Sequence, residues 1–222
     1  MSGNRGQLRF IVTAGPTREH LDPVRFLSNP STGRMGFAVA SAALSHAYET
    51  VLVAGPVALR TPKGARRVDV VSARDMLAAV IGEFDRAKAD GVRPVLVATA
   101  AVADWRPAHE APRKLKKSQM SGVLKLVRNP DILKETVKLP AFRVGFAAET
   151  GDVLAEAARK CREKRLRFIV ANDVTMPGAG FGVGTNRVTF VFPDGTVRRL
   201  PLMSKRRVGE EIVREIERGI GG

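Results

Sequence analysis

The 222-residue sequence predicts an α/β fold, in which a doubly wound, mostly parallel sheet carries helices on both faces. Five short segments are continuously apolar and do not alternate with polar residues, which is typical of strands buried on both faces of a sheet. Segments with the helical spacing of apolar residues lie between them, as in strand–helix–strand units, whose connections are right-handed.

The elements follow in chain order. In the first half we predict strands over 8–14, 50–55 and 94–102 and helices over 35–47 and 73–89. The second of these helices should bury one face, formed by Met76, Leu77, Val80, Ile81 and Phe84. In the second half we predict a helix start at 129–131, strands over 142–148 and 167–173, a helix over 150–165, a hairpin over 186–202 and a last helix over 205–218.

Residues 106–127 interrupt this alternation, because the segment is basic, rich in proline and ends in the short apolar run VLKLV. It is too long for an ordinary loop in a compact domain, so we expect a functional flap or an arm that reaches a partner. No linker long enough to separate domains is present, and residues 1–222 are predicted to form one domain.

Charge is the unusual feature of the composition. Lys and Arg number 37 against 22 Asp and Glu, which gives a formal net charge of +15. Such an excess indicates either a polyanionic partner (nucleic acid or a phosphate-rich small molecule) or a solvated surface rich in arginine. Aromatic residues make up only 5% of the chain, which disfavours single-stranded nucleic acid because bases bind by stacking on rings.

Other features of the composition exclude several classes. The single cysteine, Cys161, cannot form an intrachain disulfide and indicates a reducing, cytoplasmic location. The histidines at 20, 46 and 109 lack the spacing of zinc ligands. No apolar run reaches the roughly 18 residues of a membrane span, and the N-terminal residues lack the apolar core of a signal peptide.

Small residues, with a few amides and carboxylates, follow four of the predicted strands. They lie in residues 15–17 with 29–33, in 98–105, in 145–150 and in 171–174. In open α/β sheets the ligand binds beyond the carboxyl ends of the strands, and small residues let it reach backbone N–H groups. The sequence therefore predicts an anion-binding site at this edge of the sheet.

Single residues near these strand ends admit two interpretations. The segment Ser31-Thr32-Gly33 either caps the start of a helix or binds a phosphate group. Asp104 either caps a turn or holds a metal or a ribose hydroxyl. The basic run at 113–117, with Lys114, Lys116 and Lys117, is either a solvated segment or a clamp on phosphate.

Lys160 and Lys164 are four residues apart on one face of a predicted helix, where they are either exposed or directed at a phosphate. Cys161 lies between them and is expected to pack in the interior, because no feature of the sequence would activate it as a nucleophile.

Six motifs then occur in a recognisable order: TAGPTREHLDPVRFLSNPSTGRMG, AAVADW, KLKK, NPDI, GFAAET and ANDV. Together they resemble phosphopantothenate–cysteine ligase, over residues 8 to about 218. In many bacteria this enzyme is the C-terminal half of a bifunctional coenzyme A biosynthesis protein. The resemblance implies a Rossmann-like sheet and a cytoplasmic enzyme.

The resemblance also implies a reaction. The carboxylate of 4′-phosphopantothenate attacks the α-phosphorus of CTP, with Mg²⁺, and forms an acyl-cytidylate and pyrophosphate. The amine of L-cysteine then displaces CMP to give 4′-phosphopantothenoylcysteine. No flavin is implied for this chain, although a separately encoded flavin-dependent decarboxylase is an implied partner. Family members are homodimers in which the arm at 106–127 crosses to the partner.

Site residues are carried over by the same resemblance. Asn29 handles the acyl-nucleotide intermediate, Arg25 lies near the phosphates and Lys114 belongs to the mobile flap. Nucleotide and phosphate are bound by Ser31, Gly33, Asp104, Asp131, Phe146, Lys160 and Lys164, the two acids lying near Mg²⁺, and the substrate by Gly15, Asn29, Ala100, Ala101 and Asn172. Trp105, Thr32 and Cys161 depart from the residues frequent in the family.

Two other functions are considered. An NAD(P)-dependent reductase requires a G-x-G-x-x-G turn after the first strand, and this chain has Gly-Pro-Thr-Arg at 15–18. A basic nucleic-acid-binding module agrees with the +15 charge, but the chain has few aromatic residues and no motif of that class.

Overall fold

An eight-stranded sheet forms the centre of the protein in the computed structural model, which describes residues 8–116, 122–149, 153–173 and 182–221. The strands are β1 (Leu8–Ala14), β2 (Arg18–His20), β3 (Phe26–Ser28), β4 (Glu49–Ala54), β5 (Arg66–Asp69), β6 (Arg93–Ala98), β7 (Trp105–Pro107), β8 (Leu126–Arg128), β9 (Phe142–Glu149), β10 (Phe168–Asp173), β11 (Thr185–Asn186), β12 (Val188–Val191), β13 (Val197–Arg199) and β14 (Met203–Ser204). The helices are α1 (Arg34–Ser45), α2 (Ala73–Ala89), α3 (Ile132–Glu135), α4 (Val153–Glu163) and α5 (Lys205–Gly221).

The strand order in the sheet is β13-β12-β10-β9-β6-β1-β4-β5. The strands from β5 through to β10 pair in parallel, while β12 and β13 continue the sheet as an antiparallel hairpin. The predicted fold class is therefore confirmed. The prediction of a single domain over 1–222 stays a prediction, although the sheet takes its strands from both halves of the chain.

Apolar side chains pack on both faces of the sheet, as the continuous apolar segments predicted. On β1, Phe10 and Val12 contact the core beneath α1 and α5, whereas Ile11 contacts the core beneath α2 and α4. This alternation explains why the central strands contain no regular polar positions. No helix in the described part of the chain combines the length and apolar character that spanning a membrane requires.

Some elements differ from the predictions. The strand expected over 94–102 ends at Ala98, because the next residues leave the sheet to form a loop at its carboxyl edge. The edge strand β5 and the small ribbons β2–β3 and β11–β14 were not predicted, since they are short and rich in polar residues. On α2, Met76, Val80 and Phe84 are buried as expected, but Ile81 is 37% exposed.

The predicted arm is partly described. Its two ends pair as the antiparallel ribbon β7–β8, in which Trp105 lies opposite Arg128. Lys117 of the basic run and the other residues to 121 lie outside the described ranges, as do Thr150 and Val174 of two motifs.

Helices α1 and α5 pack against each other in the same direction. Gly209 of α5 lies against Ala38 near the start of α1, and His46 at the end of α1 bonds Glu217, further along α5, at 3.0 Å. A Cβ atom at Gly209 would lie 2.7 Å from the carbonyl oxygen of Ala38, so the two backbones approach too closely for any side chain.

We therefore expect Gly209→Ala to lower the free energy of unfolding by about 1–3 kcal/mol, the usual cost of overpacking a core. Gly82→Ala is the matched control, because Gly82 is inside α2 and nothing lies within 4 Å of its added Cβ. That change should raise the free energy of unfolding by roughly 0.5–1 kcal/mol through helix propensity. Urea unfolding of both variants tests the packing, and a Gly209→Ala variant as stable as the wild type would contradict it.

Candidate active site

A cavity of about 490 Å³ opens at the carboxyl edge of the sheet, within the size range of small-molecule sites. It lies where the chain leaves β1 and β6, neighbouring strands whose connections run to opposite faces of the sheet. Such a switch point is where open α/β sheets bind their ligands. The cavity is lined by residues 29–36, 98–104, 129–133, 146–147, 160, 164, 172, 186 and 205, together with Thr13.

The N-terminal end of α1 forms one wall. Gly33 is its N-cap residue, with φ of 75°, and glycine has no side chain with which to cap the helix; Gly33 N donates to Ser31 Oγ at 3.4 Å. A Cβ atom at Gly36 would lie 2.5 Å from Thr99 Oγ1, so the first turn of α1 sits directly against the end of β6. Without a side-chain cap, the N–H groups of this turn are available to an anion in the cavity.

The loop that follows β6 forms the opposite wall and is bonded to the end of β1. The backbone N–H of Ala101 donates to the Gly15 carbonyl at 2.9 Å. The Asn29 side chain closes the gap between the two loops, since its Nδ2 donates to the carbonyls of Ala101 at 3.3 Å and Val102 at 3.1 Å. These bonds fix the two loops relative to one another at the mouth of the cavity.

Asp131 joins two further elements. Its Oδ1 accepts from the N–H groups of Leu133 and Lys134 and so caps α3, while its Oδ2 lies 2.9 Å from Nζ of Lys164 in the turn that follows α4. Both carboxylate oxygens are thus engaged by the protein. Asn129 secures the same motif to the β6 loop, because its Nδ2 donates to the Ala103 carbonyl at 2.8 Å.

Helix α4 and the turn that follows it place the two predicted lysines in the cavity wall. Lys160 Nζ is 3.6 Å from Glu156 on the same helix, and Lys164 pairs with Asp131. Cys161 between them points the other way and is fully buried, with Sγ 3.5 Å from the Leu166 carbonyl. Burial raises the pKa of the Cys161 thiol to about 11, so the thiolate needed by a nucleophile does not form near neutral pH.

Asn172, at the end of β10, supplies a buried acceptor. It is 9% exposed, and its Oδ1 has no hydrogen-bond partner among the described residues. Buried polar atoms are nearly always hydrogen-bonded, so this oxygen is an acceptor on a cavity-lining residue that a ligand donor could satisfy.

Asp22 holds the turn between β2 and β3 to the basic segment through hydrogen bonds to its carboxylate. Its carboxylate is fully buried and accepts from the Arg25 guanidinium, from the N–H groups of Val24 and Arg25, and from Leu115 N at 3.2 Å. The hydrogen bonds from Arg25 hold the pKa of Asp22 well below its usual range, although burial opposes this shift. Arg25 in turn donates to the Leu115 carbonyl at 3.0 Å, which anchors the basic segment.

The structure brings most of the predicted site residues together. Those that line the cavity are Asn29, Ser31, Gly33, Ala100, Ala101, Asp104, Asp131, Phe146, Lys160, Lys164 and Asn172. Three do not line it: Gly15 lies beneath Gly33, Arg25 is held by Asp22, and Lys114 is exposed on the anchored segment. Their roles at the site, like the roles of the others, stay predictions.

Arg34 and Asn129 also line the cavity; they lie within the sequence motifs, but no role was predicted for them, and Asn186 and Lys205 were not singled out at all. Asn186 and Lys205 come from the ribbon β11–β14 and the start of α5, which reach the cavity only through tertiary packing. One signal was present in the sequence: three consecutive cations, from Lys205 to Arg207, begin a helix whose N-terminus disfavours positive charge.

Comparison with known proteins agrees with this architecture. Residues 6–220 match the family described as the DNA/pantothenate metabolism flavoprotein C-terminal domain. The coenzyme A biosynthesis bifunctional proteins CoaBC of Bacillus subtilis (strain 168) and Escherichia coli (strain K12) are 47% and 43% identical, over 93% and 94% of this chain. The chain spans about half the length of these relatives, 50% and 51%.

A solved structure shows the same fold. The crystal structure of the C-terminal domain of a coenzyme A biosynthesis bifunctional protein CoaBC superposes with a TM-score of 0.80 and 41% identity, covering 99% of both chains. The family resemblance seen in the six sequence motifs is confirmed. The chain belongs to the DNA/pantothenate metabolism flavoprotein C-terminal domain family.

Proposed function

We propose that this chain is a phosphopantothenate–cysteine ligase, which joins the carboxylate of 4′-phosphopantothenate to the amine of L-cysteine using CTP. One observation carries the proposal. Five of the six motifs are far apart in sequence, yet each contributes residues to one cavity at the switch point of the sheet. The relatives named for coenzyme A biosynthesis support the same reaction.

In the first step, a carboxylate oxygen of 4′-phosphopantothenate attacks the α-phosphorus of CTP. The bond from that phosphorus to the bridging oxygen breaks, and pyrophosphate leaves with the electron pair. Because both reactants are anions, the site must reduce their repulsion. We assign this to Lys160 and Lys164 and to the uncapped N–H groups of α1, which face the charge that develops on the leaving phosphates.

Asn172 and Phe146 are assigned to the nucleotide base. The Asn172 Oδ1 is a buried acceptor that needs a donor, and the exocyclic amine of cytosine is one. Phe146 is only partly buried beside it in the cavity wall and offers a ring for apolar contact.

The residues present fit Mg²⁺ through Asp104. Its carboxylate is exposed in the cavity wall, whereas Asp131 has its oxygens engaged by α3 and Lys164. Mg²⁺ commonly binds through one or two carboxylates together with substrate phosphates, whose charge it neutralises. Within the described ranges, no group of three or more His, Cys, Asp or Glu side chains is placed to hold a metal ion.

In the second step, the cysteine amine attacks the acyl carbon and the bond from that carbon to the cytidylate oxygen breaks. CMP leaves with the electron pair, and the amine nitrogen loses a proton to solvent. We assign the alignment of the acyl-cytidylate to Asn29. Its Nδ2 is fixed by the carbonyls of Ala101 and Val102, which leaves Oδ1 to accept a hydrogen bond from the substrate arm.

The test of the proposed function is mass spectrometry of one incubation. The protein is mixed with Mg²⁺, 4′-phosphopantothenate and either CTP or ATP; cysteine is first withheld and then added. We expect an acyl-nucleotide with one triphosphate, and its conversion to phosphopantothenoylcysteine once cysteine is present. Folded protein that consumes neither triphosphate would refute the proposal.

Asn29→Asp should separate the two steps. The new carboxylate would face the carbonyl oxygens of Ala101 and Val102, and the repulsion should displace the loop that holds the intermediate. We expect pyrophosphate release to fall less than about 10-fold and ligation to fall roughly 100-fold or more, the size of effect that a misplaced reacting group produces. Equal losses in pyrophosphate release and ligation would remove this role from Asn29.

The ribbons β2–β3 and β7–β8 present apolar side chains that suit a second copy of the chain. Val24, Phe26, Trp105 and Leu126 are each between 39% and 57% exposed, and Ala111 N bonds the Leu21 carbonyl at 2.8 Å, which links the two ribbons into one surface. We propose a homodimer through this surface. A partner would also bring Lys114, on the adjoining segment, toward the cavity of the other copy.

Leu126→Glu should therefore convert a dimer into a monomer, because it places a charge in the apolar interface. Ile81→Glu is the matched control, since Ile81 is exposed to a similar extent, 37%, but lies in the middle of α2 and belongs to neither ribbon. Light scattering with size-exclusion chromatography gives both molar masses. A wild-type monomer, or a Leu126→Glu dimer, would contradict the proposal.

We propose that a separate, cytoplasmic, flavin-dependent decarboxylase is a partner of this chain, so that ligation and decarboxylation are divided between two protein units. The relatives are named bifunctional, and this chain matches only about half of each. Decarboxylation of added phosphopantothenoylcysteine by the purified chain alone would contradict this division.

A further inference from the structure

Lys205 is a buried cation in the cavity wall to which no role has been assigned. It is the first residue of α5 and only 7% exposed. Its position is set by the backbone, because Lys205 N donates to the Gly184 carbonyl at 3.0 Å and the preceding residues pair with β11. The same ribbon places Asn186, which is 4% exposed, in the cavity wall.

Three features near Lys205 oppose a positive charge at this position. Burial lowers the pKa of its ammonium group, and the nearby charge of Arg34 lowers it further. The position at a helix N-terminus adds to this, because the aligned peptide dipoles place partial positive charge there. An anion in the cavity would offset these effects by attracting the ammonium group.

The cavity also has an uneven distribution of charge. Lys160 and Lys164 lie within 4 Å of carboxylates, those of Glu156 and Asp131. Arg34, in contrast, donates to the Gly182 carbonyl at 3.3 Å, and no carboxylate in the described part of the chain lies within ion-pair distance of it. Since α1 and α5 run in the same direction, both helices begin at this end, which therefore carries an excess of positive charge.

We propose that Lys205 is a further phosphate-binding residue, which with Arg34 holds the triphosphate of the nucleotide at the start of α1. This inference rests on the proposed function and adds a residue to that site. The phosphate group of the phosphopantothenate substrate has the same chemistry, and the experiment separates the two sources.

The experiment compares Lys205→Met, which keeps the length and the burial of the side chain, with Lys205→Arg, which keeps the charge. Arg206→Met is the matched control, because it removes a neighbouring exposed cation that does not line the cavity. The measurements are the Michaelis constants for CTP and for phosphopantothenate, the affinity for inorganic tripolyphosphate by calorimetry, and the melting temperature.

We expect Lys205→Met to raise the Michaelis constant for CTP and to weaken tripolyphosphate binding, each roughly 10- to 100-fold, as expected for one charged hydrogen bond. The Michaelis constant for phosphopantothenate should change less than about twofold, and Lys205→Arg and Arg206→Met should stay within about threefold of wild type on every measure. If Lys205→Met fails to fold, judged by its melting temperature, Lys205→Gln replaces it with the same expectation.

Unchanged values for CTP and tripolyphosphate in a folded Lys205→Met protein would overturn the inference. A rise confined to the Michaelis constant for phosphopantothenate would also overturn it, since the bound phosphate would then belong to the other substrate. Lys205-dependent binding of tripolyphosphate by a wild type that makes no product would support the phosphate site while refuting the ligase.

Discussion

The site depends on a constraint of the central sheet: β1 and β6 are hydrogen-bonded neighbours, but the chain leaves them toward opposite faces. After β1 the chain passes to α1, whose Phe37 packs in one core, and after β6 it passes to α3, whose Ile132 packs in the other. Two parallel strand ends whose connections diverge must leave a crevice between them. The bond from Ala101 N to the Gly15 carbonyl sets how close the two sides of that crevice can be.

Close packing of backbone on backbone gives the crevice its shape. Gly36 lets the first turn of α1 lie against the ends of β1 and β6, and Gly209 lets α5 lie against α1. Because α5 is held so close, its first residue reaches the same cavity as the phosphate-facing turn of α1. Polar side chains then join separate segments around the cavity, as Asn29 does between two loops and Asp131 does between α3 and Lys164.

The fold could be predicted largely from the sequence, since strands buried on both faces carry a strong apolar signal. β5 could not, because its sequence, RRVD, has no such signal and pairing with β4 alone makes it a strand. The strand predicted over 94–102 was too long because the residues beyond Ala98 are also small and apolar. In the structure they line the cavity and do not continue β6.

The candidate site was predictable where motifs follow strands, because parallel strand ends meet at one edge. The motifs did not predict that Lys205 would belong to the site. This residue lies far along the chain, beyond all six motifs, and the packing of α5 on α1 brings it to the same edge of the sheet. Arg25 shows a further limit, since a motif can place a residue near a site while its side chain is held by another group, here Asp22.

The two outermost strands of the sheet have a consequence for the behaviour of the protein in solution. Among the described residues, β5 and β13 are the edge strands of the sheet, and such edges can join one molecule to another in extended aggregates. Both strands are short and rich in arginine, with Arg66 and Arg67 on one and Arg198 and Arg199 on the other. Charged side chains on a short edge strand disfavour such pairing, because joining two edges would bring them out of water, so the arginines of β5 and β13 protect against self-association through the sheet.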